Sequence, residues 1–165
     1  MFLGSYLVLT LIYNLYLEFF RSPIYFPDYI THLVAKQSEI LISSFGYNAQ
    51  ILPHQSELSM KLIVNEVYLA RIVEGCNAIS IIILFIAFVL SFFGRLKLTL
   101  LYLLAGSVII YTMNIIRIGI LAVGIYEYPQ HTEFLHSIIF PLIIYGTVFL
   151  LWVIWVRIYS QKQKL

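Results

Sequence analysis

Four long apolar segments dominate the 165-residue sequence and limit the class of fold that it can adopt. They cover about residues 2–20, 77–93, 97–116 and 137–157. A helix needs roughly 20 apolar residues to cross the hydrocarbon core of a bilayer. The chain is 61% hydrophobic and 11% charged, and a soluble domain of this length could not bury so much apolar surface. We therefore predict an all-α integral membrane protein with a four-helix transmembrane bundle.

Two of the segments have informative ends. The third has an apolar continuation, "IRIGILAVGIY", which could extend its helix to about Tyr126. The first lacks a basic n-region and a small-residue cleavage site, so we interpret it as a retained anchor and not as a removed signal peptide.

Lysine and arginine residues in the short flanks indicate the orientation of the spans. The clusters are Arg95 and Lys97 between spans two and three, and Arg157, Lys162 and Lys164 after span four. Two spans separate the clusters, so both lie on one side of the membrane, which we predict to be cytoplasmic. Residues 21–75 and the loop near 117–136 then face outwards. Arg21, at the outer end of span one, disagrees with this rule.

The region 21–75 is the only sizeable polar part of the chain, and we predict that it forms a small external cap. "PDYITHLVAKQSEILISSFG" has apolar residues at helical spacing, with Asp28 near its start and Gly46 after its end. This pattern indicates an amphipathic helix on the outer leaflet or over the bundle. "MKLIV" and "VYLARIV", separated by Asn65-Glu66, predict a β-hairpin. The whole chain, 1–165, is then a single membrane domain.

Three polar residues from separate segments fall at the same predicted membrane face. Cys76, the only cysteine, lies at the outer start of span two; Arg117 lies at the outer end of span three, and His136 at the outer start of span four. Ionisable groups at membrane depth are costly and usually functional. A thiolate can act as nucleophile, an imidazole as general base and a guanidinium as oxyanion partner. The set predicts acyl transfer.

Each of these residues also has a structural explanation. A cysteine before a membrane helix can simply pack, an arginine at a helix end can reach the headgroups, and a histidine can lie at the interface. His131 is a rival base in the same loop, whereas we place His32 and His54 on the surface of the cap.

Polar neighbours of the three residues are further candidates for binding or orienting the substrate. Glu74 and Asn77 flank the cysteine, and capping of the next helix is their alternative role. Asn114 lies three residues before Arg117 on the same helical face, where bonding between helices is the alternative. No HxxxH or CxxC spacing occurs, so we predict neither a metal nor a cofactor.

The same residues resemble the exosortase/archaeosortase family. The resemblance rests on "EGCNAIS" around Cys76, "NIIR" ending at Arg117 and His136 at the start of the last span, and is clearest over about 68–157. Length and span number are similar to those of the small exosortases of Bacteroidetes, with the F-type subfamily nearest. Many members have a small residue and then glycine after the cysteine, whereas here Asn77-Ala78 follows.

The resemblance implies an integral membrane cysteine protease or transpeptidase with Cys76, Arg117 and His136 as its triad. Its partners would be exported proteins with a C-terminal sorting signal, made of a short motif, a transmembrane helix and a basic tail. Cleavage at the motif would be followed by transfer to a surface anchor or by hydrolysis. The resemblance also implies a bacterial inner-membrane location, with the site facing the periplasm.

Other classes of function have less support in the sequence. A non-enzymatic membrane scaffold or assembly partner in protein export is the main alternative, with Cys76 as a packing residue. A transporter lacks the paired broken helices that it would need, and a redox carrier lacks a second cysteine. The net charge of +2, without a basic stripe, gives no indication of nucleic-acid binding.

Overall fold

The computed structural model describes residues 1–19, 26–92 and 95–162. Its helices are α1 (Phe2–Phe19), α2 (Tyr29–Ser44), α3 (Ile79–Ser91), α4 (Leu96–Glu127), the single turn α5 (Thr132–Phe134) and α6 (Phe140–Lys162). Its strands are β1 (Ala49–Pro53), β2 (Ser59–Val64) and β3 (Val67–Val73). The predicted interface residue Arg21 and the tail residue Lys164 lie outside the described residues, as does the start of the predicted cap, 21–25.

Three of the four predicted spans are helices long and apolar enough to cross a membrane. They are Phe2–Phe19, Leu96–Glu127 and Pro129–Ile158. The second predicted span is an apolar helix of only 13 residues, Ile79–Ser91. At 1.5 Å per residue it is about 20 Å long, which is less than the roughly 30 Å of the hydrocarbon core. The predicted count of four membrane-crossing helices is therefore not confirmed.

Helix α4 follows the longer of the two predictions for span three, in which the helix continues past 116 to about Tyr126. Its 32 residues end at Glu127, so the apolar continuation after Arg117 is helical and the loop predicted near 117–136 begins only at Tyr128. The end of α4 contacts the cap, where the Tyr47 hydroxyl donates to Glu127 Oε1 at 2.9 Å. This hydrogen bond raises the pKa of the Tyr47 phenol above its ordinary value. Arg117 thus lies within a continuous helix and not at its end.

The predicted amphipathic helix is confirmed as α2. Asp28 caps it, because its Oδ1 accepts hydrogen bonds from the backbone N–H groups of Ile30 and Thr31 at 3.0 and 3.1 Å. Gly46, with φ +91°, follows its end in the left-handed conformation that glycine favours. The apolar side of α2 packs on the sheet and on α4, so the helix covers the bundle.

The predicted hairpin is also confirmed, within a sheet that has one more strand than expected. The sheet is antiparallel with the order β1-β2-β3, and β2 and β3 are joined by Asn65-Glu66. Both turn residues have positive φ, 47° and 69°, as a type I′ turn requires. On β2, Met60, Leu62 and Val64 point into the core shared with α2 and α4.

Strand β3 connects the cap to the membrane helices. It runs into a single 3-10 turn, Glu74–Cys76, and α3 begins three residues later. At the opposite end of the bundle α4 and α6 are tied together, because the Tyr102 hydroxyl donates to the carbonyl of Leu151 at 2.6 Å. The fold therefore places Cys76 where sheet, cap and helices meet.

The hairpin turn gives a prediction about stability. Glu66→Gly should raise the free energy of unfolding by about 0.5–1 kcal/mol, because a left-handed residue with a Cβ costs roughly 1–2 kcal/mol and the extra chain entropy of glycine offsets part of the gain. Thermal unfolding in detergent measures the change. Tyr68→Gly, at an exposed strand position without positive φ, is the control and should lower stability. Equal loss in both variants would contradict the assignment of the turn.

Candidate active site

Cys76 lies at the mouth of a small cavity between the cap and the helices. Its turn follows β3, its side chain is half-buried, and it lines a cavity of about 180 Å³ together with His136 and Phe140. We call this the Cys76 cavity; its walls come from β3, from Leu62 of β2, from α4 and from residues 132–140. Apolar side chains form most of the walls, so a charge that develops there is poorly screened by water.

Arg117 brings a buried positive charge to the same place. It is 5% exposed on α4, and its guanidinium carbon lies 3.6 Å from the centroid of the Phe140 ring, which is a cation–π contact. Cys76 and Tyr145 are its electrostatic neighbours. Neither ion pair in the described part of the chain includes Arg117, and its Nε has no hydrogen-bond partner there. The charge is thus held by an aromatic face, without a carboxylate.

His136 lies at an irregularity in the last membrane helix. The segment Leu135–Ile139 is a π-helical turn, a feature that occurs frequently at functional sites. The imidazole is parallel to the Phe140 ring, with centroids 5.2 Å apart and an interplanar angle of 9°. Phe140 therefore contacts both His136 and Arg117. The rival base His131 is exposed on the preceding 3-10 turn and does not line the cavity.

The structure thus brings the three predicted residues to one site. Cys76 and His136 line the cavity, and Arg117 is buried behind it against Phe140. No hydrogen bond joins the three side chains within the described ranges. Catalytic hydrogen bonds are often long without substrate and shorten when it binds, so this spacing is compatible with a reaction site.

Asn114 fixes the position of the cysteine backbone. It is fully buried on α4, one turn before Arg117, and its Nδ2 donates to the backbone carbonyl of Cys76 at 2.7 Å. Its Oδ1 has no partner among the residues described. Asn114 therefore contacts the backbone of the candidate nucleophile and not its thiol.

Asn77 makes three hydrogen bonds at the start of α3. Its Oδ1 accepts from the backbone N–H of Ile79, the first residue of α3, at 3.0 Å. Its Nδ2 donates to the Tyr13 hydroxyl at 2.7 Å and to Thr31 Oγ1 at 3.1 Å, which joins α1 and α2 to the start of α3. The side chain is 1% exposed, so these bonds are made in the interior.

Ala78 has a backbone conformation that alanine rarely adopts. Its φ is +65°, in the left-handed region where glycine is favoured, and it is 4% exposed. A glycine at this position would adopt this conformation without strain. Alanine is the smallest residue with a Cβ, and it keeps the same backbone path.

The other candidates lie elsewhere. Glu74 does not line the Cys76 cavity; it lines a second one of about 220 Å³ between α1 and α3. His32 and His54 belong to α2 and to the loop after β1. Across residues 1–19, 26–92 and 95–162 no group of three histidine, cysteine or carboxylate side chains could hold a metal. Sequence reasoning missed Phe140, whose position four residues after His136 on a helix was the available signal.

Comparison with known proteins gives one result. The family model described as transmembrane exosortase matches residues 1–158. No curated protein and no solved structure has a significant match.

The hydrogen bond from Asn114 to the carbonyl of Cys76 predicts that the loss of the Asn114 amide lowers the stability of the protein. Asn114→Ala should lower the free energy of unfolding by about 1–3 kcal/mol, because the carbonyl of Cys76 loses its donor. Thermal unfolding of the purified protein in detergent measures it. Thr112→Ala, which removes an exposed hydroxyl bonded within α4, is the matched control and should change stability by less than about 0.5 kcal/mol. Equal stability of both variants would mean that the contact is unimportant.

Proposed function

Since the chain belongs to the transmembrane exosortase family, we propose that it is a membrane cysteine transpeptidase with Cys76, Arg117 and His136 as its catalytic residues. Members of this family are membrane enzymes that act in the sorting of exported proteins. The observation that carries the assignment of residues is the Cys76 cavity: a thiol and an imidazole line it, and a guanidinium without a carboxylate partner among the described residues lies behind it against Phe140. The apolar walls strengthen the electrostatic interactions of these groups.

The proposed reaction proceeds through a thioester. His136 takes the thiol proton as Cys76 Sγ bonds to the substrate carbonyl carbon, and the positive charge of Arg117 stabilises the oxyanion. The carbon–nitrogen bond then breaks, and His136 gives the proton to the leaving amine. An acceptor amine or water gives a proton to His136 as it bonds to the carbonyl carbon of the thioester. The carbon–sulfur bond then breaks, and His136 returns the proton to restore the Cys76 thiol. The final product depends on which acceptor reaches the site.

We further propose that the substrates are exported proteins with a C-terminal signal of motif, transmembrane helix and basic tail, and that Cys76 faces the outside of the inner membrane. The positions of charge support this orientation. Arg95 is the residue before α4, and Arg117 follows it by 22 residues, or about 33 Å of helix, close to the thickness of the hydrocarbon core. With Arg95 and Lys97 at the cytoplasmic boundary, Arg117 reaches the outer one.

Substitution of the three residues tests the chemistry. Cys76→Ala should abolish cleavage of an exported protein with such a signal, and His136→Ala and Arg117→Met should lower its rate by about 10²–10⁴-fold and 10²–10³-fold. Immunoblots of membranes after induction of the substrate give the rates, and mass spectrometry of the wild type should detect a substrate fragment bound to Cys76.

His131→Ala is the matched control, since it removes an exposed imidazole from the same segment, and it should leave cleavage unchanged. Cleavage by a stably inserted Cys76→Ala protein would refute the proposal. If His131→Ala lowers the rate of cleavage as much as His136→Ala does, the assignment of His136 as a catalytic residue is wrong.

The single native cysteine allows a direct test of orientation. In right-side-out membrane vesicles a membrane-impermeant maleimide should label Cys76, whereas in inverted vesicles it should not. Leu96→Cys in a Cys76→Ala background is the control, because Leu96 is exposed at the other end of α4, and it should show the opposite pattern. Labelling of Cys76 in inverted vesicles only would reverse the proposed topology.

A further inference from the structure

Within the described residues, the strand β3 has a neighbouring strand on one side only, and its other edge lies beside the candidate nucleophile. We propose that this edge, the outer side of β3, binds the motif of the exported substrate as an added parallel β-strand and so brings the scissile carbonyl to Cys76. The inference rests on the proposed function for the identity of the substrate. It concerns how the peptide is held, which the reaction itself does not specify.

The residues that line the cavity show that β3 presents its edge there. Leu69, Ala70, Arg71 and Ile72 all line the Cys76 cavity. A β-bulge at Leu69 interrupts the alternation of side chains along β3. Arg71 is nevertheless exposed while its neighbour Ile72 is buried in the core, so residues from both faces of β3 line the cavity. The side facing the cavity is therefore the one that carries unpaired backbone N–H and C=O groups.

The two edges of the sheet differ in how they are covered. The strand order β1-β2-β3 leaves β1 and β3 as edges within the described part of the chain. At the β1 edge, the backbone N–H of Ile51 donates to Glu39 Oε1 of α2 at 2.9 Å. At β3 the neighbouring space is the cavity. An exposed edge is a template for another strand, and peptide recognition by strand addition uses such edges.

The direction of β3 fits the direction of the substrate. β3 runs from the cap to the start of α3, and Cys76 follows its last residue by three positions. A substrate whose exported domain precedes its transmembrane helix also runs from outside into the membrane, which makes the pairing parallel. β3 also carries a β-bulge at Leu69, opposite Leu62 and Ile63 of β2, and such bulges are common beside active sites.

The size of the cavity limits what enters it. The volume of the cavity, about 180 Å³, is below the 300–1,000 Å³ of typical ligand pockets. It is about six times the volume that one molecule occupies in liquid water. It therefore takes about one side chain, while the rest of the peptide lies along the edge. Ile118, Leu121 and Ile125 of α4 are among its walls, so that side chain is apolar. Hydrogen bonds between the main chains would supply affinity. The single substrate side chain that enters the cavity would supply selectivity.

Cysteine cross-linking tests the pairing without catalysis. The Cys76→Ser chain has no cysteine, and Arg71→Cys or Val73→Cys can be added on the side of β3 that faces away from the core. The substrate carries single cysteines at consecutive positions before its transmembrane helix. Disulfide yields in membranes should be high at every second substrate position. The best partner should shift by two residues towards the substrate C-terminus when the enzyme cysteine moves from 71 to 73.

Leu52→Cys in the same background is the matched control, because Leu52 is exposed on β1 at the other edge, and it should not cross-link. Yields that are uniform, that repeat every three to four residues or that shift in the opposite direction would overturn the parallel strand. Cross-links to Leu52→Cys equal to those at β3 would do the same.

A second measurement separates this proposal from the catalytic one. A substrate peptide with backbone N-methyl groups at alternate motif positions should be cleaved two- to tenfold more slowly by the wild-type enzyme, and methylation at the intervening positions should have little effect. If cleavage depends on Cys76, but methylation does not slow it and the cross-links show no alternation along the substrate, strand addition is wrong and the enzyme assignment stands. If the Cys76→Ala enzyme still cleaves while the alternating cross-links appear, the enzyme assignment is wrong and strand addition stands.

Discussion

The buried charge of Arg117 is the constraint on which the arrangement around it depends. A guanidinium that is 5% exposed has lost most of its hydration, and no carboxylate pairs with it in the described residues. The face of Phe140 compensates part of that cost, and it requires the last helix to approach α4 at this level. His136 stacks on the same ring. A negative charge that forms in the cavity would offset the remaining cost of the buried Arg117 charge. Arg117 therefore interacts more favourably with a transition state that carries such a charge than with the neutral substrate.

Helix α4 transmits this constraint to the rest of the molecule. It carries Arg117, the donor that holds the carbonyl of Cys76, and the residues that pack under the cap. Tyr111 on the same helix donates to Gln37 of α2 at 2.7 Å, and Glu127 accepts from Tyr47 near β1. The candidate nucleophile, the sheet and the membrane helices are therefore aligned by one continuous element.

Local signals predicted the parts of the fold that are determined locally. Asp28 and Gly46 mark the ends of α2, and Asn65-Glu66 marks the hairpin turn, because capping and positive φ depend on a few neighbouring residues. The continuation of α4 to about Tyr126 was predicted only as an alternative to an end at 116, since hydropathy does not distinguish a membrane-crossing helix from one that continues under an apolar cap. Helix α3 begins at Ile79 and not at the predicted residue 77, because Asn77 and Ala78 belong to the turn before it, where Ala78 has a positive φ.

For the site, the sequence indicated which residues meet but not how they are held. Cys76, Arg117 and His136 could be placed at one level from their distances to the span ends. The ring of Phe140 and the open side of β3 depend on long-range packing that one sequence does not encode in a local pattern. Proximity in sequence did not predict the position of Glu74, which is two residues from the cysteine but lines another cavity.

The junction of sheet and membrane also suits the chemistry of a peptide bond at the bilayer surface. A peptide group in a transmembrane helix is hydrogen-bonded within the helix and is not accessible to a nucleophile, so the substrate must be extended where it is cut. Extension frees N–H and C=O groups in a place with little water, and each needs a new partner. The open edge of β3 offers such partners immediately before Cys76. An enzyme that cuts at this boundary gains from a strand at its site because the strand offsets the cost of unwinding its substrate.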